Sequence, residues 1–117
     1  MDLGPPQIAL GAQDLKEDII AFLVNHQMFH DVNFYTQEQW KARGEQYLKK
    51  AEFVMTAEGM LYQSFNYGDS KRDKRLYAGF DKLVKDHGYF WEQGHAWSFG
   101  FYREESVADA DRAWKQR

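Results

Sequence analysis

The chain has 117 residues, of which 44% are hydrophobic and 17% aromatic, and its formal net charge is -3. This length and composition predict a single domain with one modest core, and they exclude a chain that is disordered throughout. Because the chain contains no cysteine, disulfides, thiolate metal sites and a cysteine nucleophile are excluded as well.

Charge balance and hydropathy bear on the compartment and the partners. Lys and Arg number 15 against 18 Asp and Glu, so nucleic acid and anionic membrane surfaces are not expected as partners. No apolar stretch is long enough to cross a bilayer, and the N-terminus lacks a signal-peptide pattern. Together with the missing cysteines, these features predict a cytoplasmic protein. No phosphate-binding glycine motif or metal-ligand set is present, so neither a cofactor nor a metal is predicted.

The first part of the chain is predicted to be an arm followed by a helix. Residues 1–13 hold both prolines and two glycines, which indicates a flexible N-terminal arm. Asp14 with Glu17 forms a capping-box pattern. Apolar residues at helical spacing then predict a first helix of about 15 residues, whose stripe ends at His26 and His30.

A second helix is predicted to start at Thr36, with Gln39 completing another capping box. Apolar residues from Trp40 to Ala51 line one face at helical spacing. Gly44 lies on that stripe, which favours close packing within a longer helix over an early end at the glycine.

From Glu52 the hydrophobic period changes to two, which is typical of strands. Residues 53–57 and 60–65 flank the dipeptide Glu58-Gly59, so they predict a first hairpin.

A third helix and a second hairpin complete the pattern. Asp69 or Ser70 is expected to cap the helix, and Gly88 to end it in a left-handed conformation. Residues 89–92 and 95–102 are then predicted to form a hairpin around a two-residue turn.

The resulting element order is α-α-ββ-α-ββ-(α). It predicts an α+β fold in which an antiparallel sheet of about four strands, built from two hairpins, packs against two to three helices. Residues 14–103 form the predicted domain, and residues 104–117 a short C-terminal helix or tail. This order resembles that of cone-shaped α+β folds that enclose small hydrophobic ligands.

Two groups of residues are candidates for general acid–base chemistry. His26 and His30 are four residues apart, the spacing at which one helical face presents two imidazoles, and Asp31 follows as a possible third group. Glu92 and His95 are expected to lie opposite each other at the second hairpin turn, where a carboxylate would orient an imidazole. The alternatives are locally hydrogen-bonded histidines and an exposed cross-strand pair.

A basic cluster opens the third helix. It comprises Lys71, Arg72, Lys74 and Arg75 and is diluted by Asp73. Contact with phosphate or nucleic acid is one interpretation, and a solvated first turn is the favoured alternative.

The second hairpin is the most informative feature. Strand alternation predicts Phe90, Trp97, Phe99 and Phe101 on one face, as core. It predicts an aromatic-walled groove on the other face, with walls and floor formed by Tyr89, Trp91, Tyr102, Ala96, Ser98 and Gly100. The protein's own helices, a second subunit or a ligand would cover this groove.

The leading functional hypothesis is therefore a non-catalytic binding protein. Its groove would take a protein partner, a second copy of the chain in a homodimer, or an apolar small molecule. The competing hypothesis is a small acid–base enzyme whose candidate groups converge in one pocket.

Overall fold

The computed structural model describes residues 10–104. Within this range the four strands form one antiparallel sheet in the order β1-β2-β4-β3. The α+β class and the four-stranded antiparallel sheet are therefore confirmed. The elements, in chain order, are α1 (Leu10–Asn25), β1 (Val32–Thr36), α2 (Gln37–Ala42), β2 (Phe53–Ala57), α3 (Met60–Tyr67), α4 (Lys71–Asp86), β3 (Tyr89–Gln93) and β4 (Ser98–Arg103).

The best-specified element is α4. The Ser70 hydroxyl accepts a hydrogen bond from the Asp73 backbone N–H, and the Asp73 carboxylate accepts one from the Ser70 N–H, so the capping box is complete. Leu76, Phe80 and Val84 are buried at a spacing of four residues. Gly88 follows with φ +77°, which confirms the predicted cap and end of this helix.

The second predicted helix is shorter than expected. Its capping box, formed by Thr36 and Gln39, is confirmed, but α2 ends at Ala42. Gly44 adopts φ +76°, a left-handed conformation that ends a helix at little cost only for glycine. Residues 43–52 instead cross the sheet without regular secondary structure, so the extended helix was a wrong prediction.

The first predicted hairpin is also wrong. Residues 60–65 belong to α3, in which Leu61 and Ser64 are buried three residues apart. An alternating run of six residues fits both the helical and the strand period, so periodicity alone does not separate them. The true antiparallel neighbour of β2 on this side is β1, with Phe34 opposite Met55.

The N-terminal helix starts within the predicted arm. Because α1 spans Leu10–Asn25, residues 10–13 are helical, and Ala12 is fully buried. Asp14 is therefore an exposed residue inside the helix and not its cap. The remaining arm residues, 1–9, and residues 105–117 of the predicted C-terminal segment lie outside the described part of the chain.

The sheet has two differently covered faces. The helix face packs against α1, α3 and α4, and its core includes Leu15, Phe80 and Phe101. The loop face is covered by α2 and by residues 43–52, the crossing segment, over a small cluster that includes Trp40 and Val54. In the part of the chain that the structure describes, no helix has the length and apolar character needed to span a bilayer.

Candidate functional site

The residues of the predicted groove lie on opposite faces of the sheet. The last cross-strand pair of the hairpin is Gln93 with Phe99, so five residues, 94–98, connect the paired positions where two were predicted. Glu92 therefore pairs with Gly100 and not with His95, a shift of five positions. An odd shift turns one strand over relative to the other. Predicting Tyr89, Trp91 and Tyr102 on one face was therefore wrong.

Tyr89 and Trp91 lie on the helix face and are covered by the protein itself. Tyr89 is 3% exposed, and its hydroxyl donates to Glu52 Oε2 at 2.7 Å and accepts from Arg103 Nη2 at 2.9 Å. Burial, followed by the hydrogen bond to Glu52, raises the pKa of Tyr89 to about 12. The half-buried Trp91 donates from Nε1 to Asp81 at 3.0 Å.

The remaining groove residues belong to the loop face or the loop itself. Tyr102 stacks on Phe90, with 5.1 Å between ring centroids, and donates to Glu92 at 2.7 Å. Burial, followed by this hydrogen bond, raises the pKa of Tyr102. A Cβ on Gly100 would lie 2.9 Å from Leu48 Cδ2, so the crossing segment fills the predicted floor. Ala96 is exposed.

His95 and Ser98 organise the hairpin loop. Ser98 Oγ lies 2.9 Å from His95 Nδ1 and accepts a hydrogen bond from the His95 backbone N–H, and His95 Nε2 lies 3.6 Å from Glu45 Oε2. This line of serine, histidine and glutamate contains the group types of a hydrolytic triad. However, Ser98 is fully buried, so no substrate carbon reaches its hydroxyl. The arrangement stabilises the loop.

The two histidines near the end of α1 do not share a helical face. α1 ends at Asn25, and Gln27 adopts a positive φ of 57°, which turns the chain between the two imidazoles. His30 Nε2 lies 3.4 Å from Asp31, and both side chains are mostly exposed. The prediction of a helical histidine pair was therefore wrong.

The acid–base candidates are distributed over three places. His26, His30 and Asp31 belong to the turn after α1, whereas Glu92 contacts Tyr102 on β4 and His95 lies in the hairpin loop. Across residues 10–104, no group of three His, Cys, Asp or Glu residues has a geometry that could hold a metal ion.

A cleft that the sequence did not predict lies beside α3. It has a volume of about 500 Å³ and lies between α3, the start of α4 and the turn after α1. We call it the α3 cleft. Its lining residues are Met28, Met60, Gln63, Ser64, Tyr67, Gly68, Ser70, Arg72 and Asp73.

Hydrogen bonds hold the walls of the α3 cleft in place. The Glu58 N–H donates to the Asp31 carbonyl at 3.2 Å, and Arg72 Nη2 donates to the His26 carbonyl at 3.4 Å. These contacts fix the turn after α1 against α4 and against the residues that precede α3. Neither His26 nor His30 is among the lining residues of the cleft.

Asp73 joins the two helices of the cleft. Its carboxylate accepts hydrogen bonds from the hydroxyls of Ser64, at 2.6 Å, and Ser70, at 2.7 Å. These bonds lower the pKa of Asp73, with that from Ser64 contributing most. A Cβ on Gly68 would lie 2.4 Å from Asp73 Cγ, so only glycine allows this approach. The carboxylate of Asp73 is therefore held in the junction between α3 and α4.

The accessible chemistry of the α3 cleft is apolar and cationic. Met60 and Tyr67 are 51% and 70% exposed, whereas Met28 is buried at its base. The four cations of the basic cluster, Lys71, Arg72, Lys74 and Arg75, are exposed on the first turns of α4. The basic cluster was visible in the sequence, but Met60 was assigned to a strand and Met28 to a continuing first helix.

Comparisons with protein-family models, with curated proteins and with solved structures find no match to this chain.

Proposed function

We propose that this chain is a non-catalytic interaction protein that binds an acidic segment of a partner protein, with an apolar side chain inserted into the α3 cleft. The observation that carries the proposal is the juxtaposition of exposed Met60 and Tyr67 with Arg72 in the lining of the cleft. The other cations of the basic cluster are exposed on the same turns of α4. The proposal keeps the interaction hypothesis and moves its surface from the hairpin to α3. It includes a cytoplasmic setting, which the absence of cysteine supports.

The apolar part of the α3 cleft has the chemistry of a docking site. Methionine adapts its shape to different partners, and tyrosine buries a large ring while its hydroxyl remains hydrogen-bonded. Ligand-binding pockets have volumes of roughly 300–1,000 Å³. The α3 cleft, at about 500 Å³, falls within that range, so it can take an inserted side chain.

The basic cluster beside the α3 cleft favours an acidic partner. The chain as a whole carries a net charge of -3, yet Lys71, Arg72, Lys74 and Arg75 concentrate positive charge at one end of α4. Asp73, which also lines the cleft, offsets one of these four charges and leaves a net charge of +3 over residues 71–75. Complementary charge accelerates association and selects among partners. Nucleic acid is disfavoured because Asp73 occupies the helix N-terminus, where a phosphate would otherwise bind.

The acid–base alternative has less support. An enzyme of that type needs its groups within hydrogen-bond reach of one reacting atom, and here the candidates lie on separate elements. Ser98, which has a histidine neighbour, is fully buried.

Selection from a displayed library of short random peptides tests the proposal. We expect the wild-type protein to enrich peptides in which an apolar residue is flanked by Asp or Glu. Arg72→Glu and Tyr67→Ser should each weaken the selected peptides about tenfold, equivalent to roughly 1.4 kcal/mol. Lys82→Glu, with the same charge change elsewhere on α4, and Tyr47→Ser, at another exposed tyrosine, are the matched controls.

Three outcomes would contradict the proposal. The selection could enrich no acidic–apolar peptide. The enriched peptides could bind both cleft variants as tightly as the wild-type protein. Sedimentation velocity could show a wild-type dimer that Tyr67→Ser dissociates, which would assign the α3 cleft to self-association.

A further inference from the structure

Three aromatic rings surround the guanidinium group of Arg43 on the loop face. The Arg43 Cζ atom lies 4.9 Å from the ring centroid of Tyr35, 5.1 Å from that of Trp40 and 5.9 Å from that of Trp97. These distances are within the range of cation–π attraction, which extends to about 6 Å. We call the three rings the aromatic cage. It shares no residue with the lining of the α3 cleft, so it is argued independently of the proposed protein-binding site.

The walls of the aromatic cage are fixed by contacts outside it. Trp40 is fully buried, and its Nε1 donates to the Tyr47 carbonyl at 2.7 Å. Trp97 stacks on His95 with 4.2 Å between centroids and an interplanar angle of 7°. Tyr35 lies on β1, opposite Val54 of the central strand. The rings therefore come from three elements that hold them independently of Arg43.

Arg43 is held less firmly than the three rings of the aromatic cage. Arg43 is the C-cap of the six-residue α2, and its side chain is 37% exposed. Its Nη2 donates to Glu45 at 3.2 Å. The next residue, Gly44, would have no atom within 4 Å of an added Cβ. A hollow of about 270 Å³ beside Gly44 and Glu45 offers space for a displaced side chain.

We propose that the aromatic cage, with Glu45 at its mouth, is a binding site for an organic cation, and that Arg43 is its tethered occupant. Aromatic walls favour weakly hydrated cations such as a guanidinium or a methylated ammonium, because ring contact replaces little bound water. A cation of this class competes with Arg43 for the rings.

The variant Arg43→Ala, which empties the aromatic cage, tests this site. The probes are tetramethylammonium chloride and methylguanidinium chloride, with sodium chloride at equal ionic strength as the control. We expect a saturable change in tryptophan fluorescence and a rise in melting temperature, because a ligand that binds only the folded state stabilises it. The wild-type protein should bind about tenfold more weakly, since Arg43 competes. The tighter probe identifies which cation type the cage prefers.

A second substitution locates the binding. Tyr35→Leu in the Arg43→Ala background should weaken the probe about tenfold, whereas Tyr47→Leu, outside the cage, should not. Arg43→Gln serves as the empty-cage variant should Arg43→Ala fold poorly in circular dichroism. The proposal is wrong if neither empty-cage variant shows a response beyond that of sodium chloride. It is also wrong if binding is equally tight in the wild-type protein, or if Tyr35→Leu leaves it unchanged.

Discussion

The two faces of the sheet are stabilised in different ways. Among the described residues, the helix face has a core of 15 buried hydrophobic residues beneath three helices, whereas the loop face has four beneath α2 and the crossing segment. The helix face depends on buried apolar area. The loop face depends on individual close contacts. Arg43 lies against three aromatic rings, Ser98 closes the hairpin loop, and Leu48 packs on Gly100.

This difference concerns how each face tolerates substitution. A hydrophobic core mainly needs the right total volume and periodicity, so many sequences can form it. The loop face instead places aromatic rings and charges at fixed positions. The comparison therefore assigns most of the folding free energy to the helix face. The two proposed sites are divided between the faces, because the aromatic cage lies on the loop face and the α3 cleft lies among the helices.

The largest expected effect compares two residues of the same hairpin. Trp91→Ala removes a ring that packs against Phe65, Phe80 and Phe99, so we expect a loss of about 3–5 kcal/mol. Tyr102→Ala on the loop face removes one stacked pair and one hydrogen bond, for a loss of about 1–2 kcal/mol. Urea unfolding measures both. Equal losses of unfolding free energy in the two variants would contradict the proposed difference between the faces.

A smaller effect tests how the crossing segment packs. In Gly100→Val the new Cβ would lie 2.9 Å from Leu48 Cδ2 and 3.0 Å from Ala51 Cβ, so we expect a loss of about 1–3 kcal/mol. The same substitution in a Leu48→Ala background should cost less, because the truncated side chain leaves room. Identical losses in the two backgrounds would show that Leu48 does not press on Gly100.

The smallest effect concerns the pH dependence of Asp73. Hydrogen bonds from Ser64 and Ser70 hold the pKa of Asp73 below its value in the unfolded chain, which is about 3.9. Its ionised form therefore stabilises the fold above that pH, and the contribution is lost as the pH falls through the folded pKa. Asp73→Asn should lower the melting temperature at neutral pH, and the difference should vanish in acid. Asp69→Asn is the control; a difference independent of pH would contradict this account.

The sequence predicted the elements whose signals are local. Ser70 and Gly88 bounded α4 correctly, and Thr36 with Gln39 marked the start of α2, because capping depends on neighbouring residues. β1 was missed because Gln27 and Asp31 take positive φ without being glycine. No local signal therefore separated the preceding turn from a continuing helix.

The candidate sites were less predictable because they depend on distant pairings. One error in the register of the second hairpin, an odd shift of five positions, exchanged the face of a whole strand and with it the environment of Trp91. The α3 cleft joins Met28, Tyr67 and Arg72 from three separate segments. The aromatic cage likewise needs rings from β1, α2 and the hairpin loop. Composition indicated many aromatic residues but not which of them meet.

The position of β2 has a consequence for the order of folding. All five residues of β2 are buried, and it lies between β1, which precedes it closely, and β4, the last strand of the described chain. Loop closure must bring Phe101 to Phe53 before the second edge of β2 is paired, and such long-range pairings slow folding. Until the hairpin docks, β2 exposes an apolar edge, so we expect a chain emerging from the ribosome to be most prone to aggregate before β4 is synthesised.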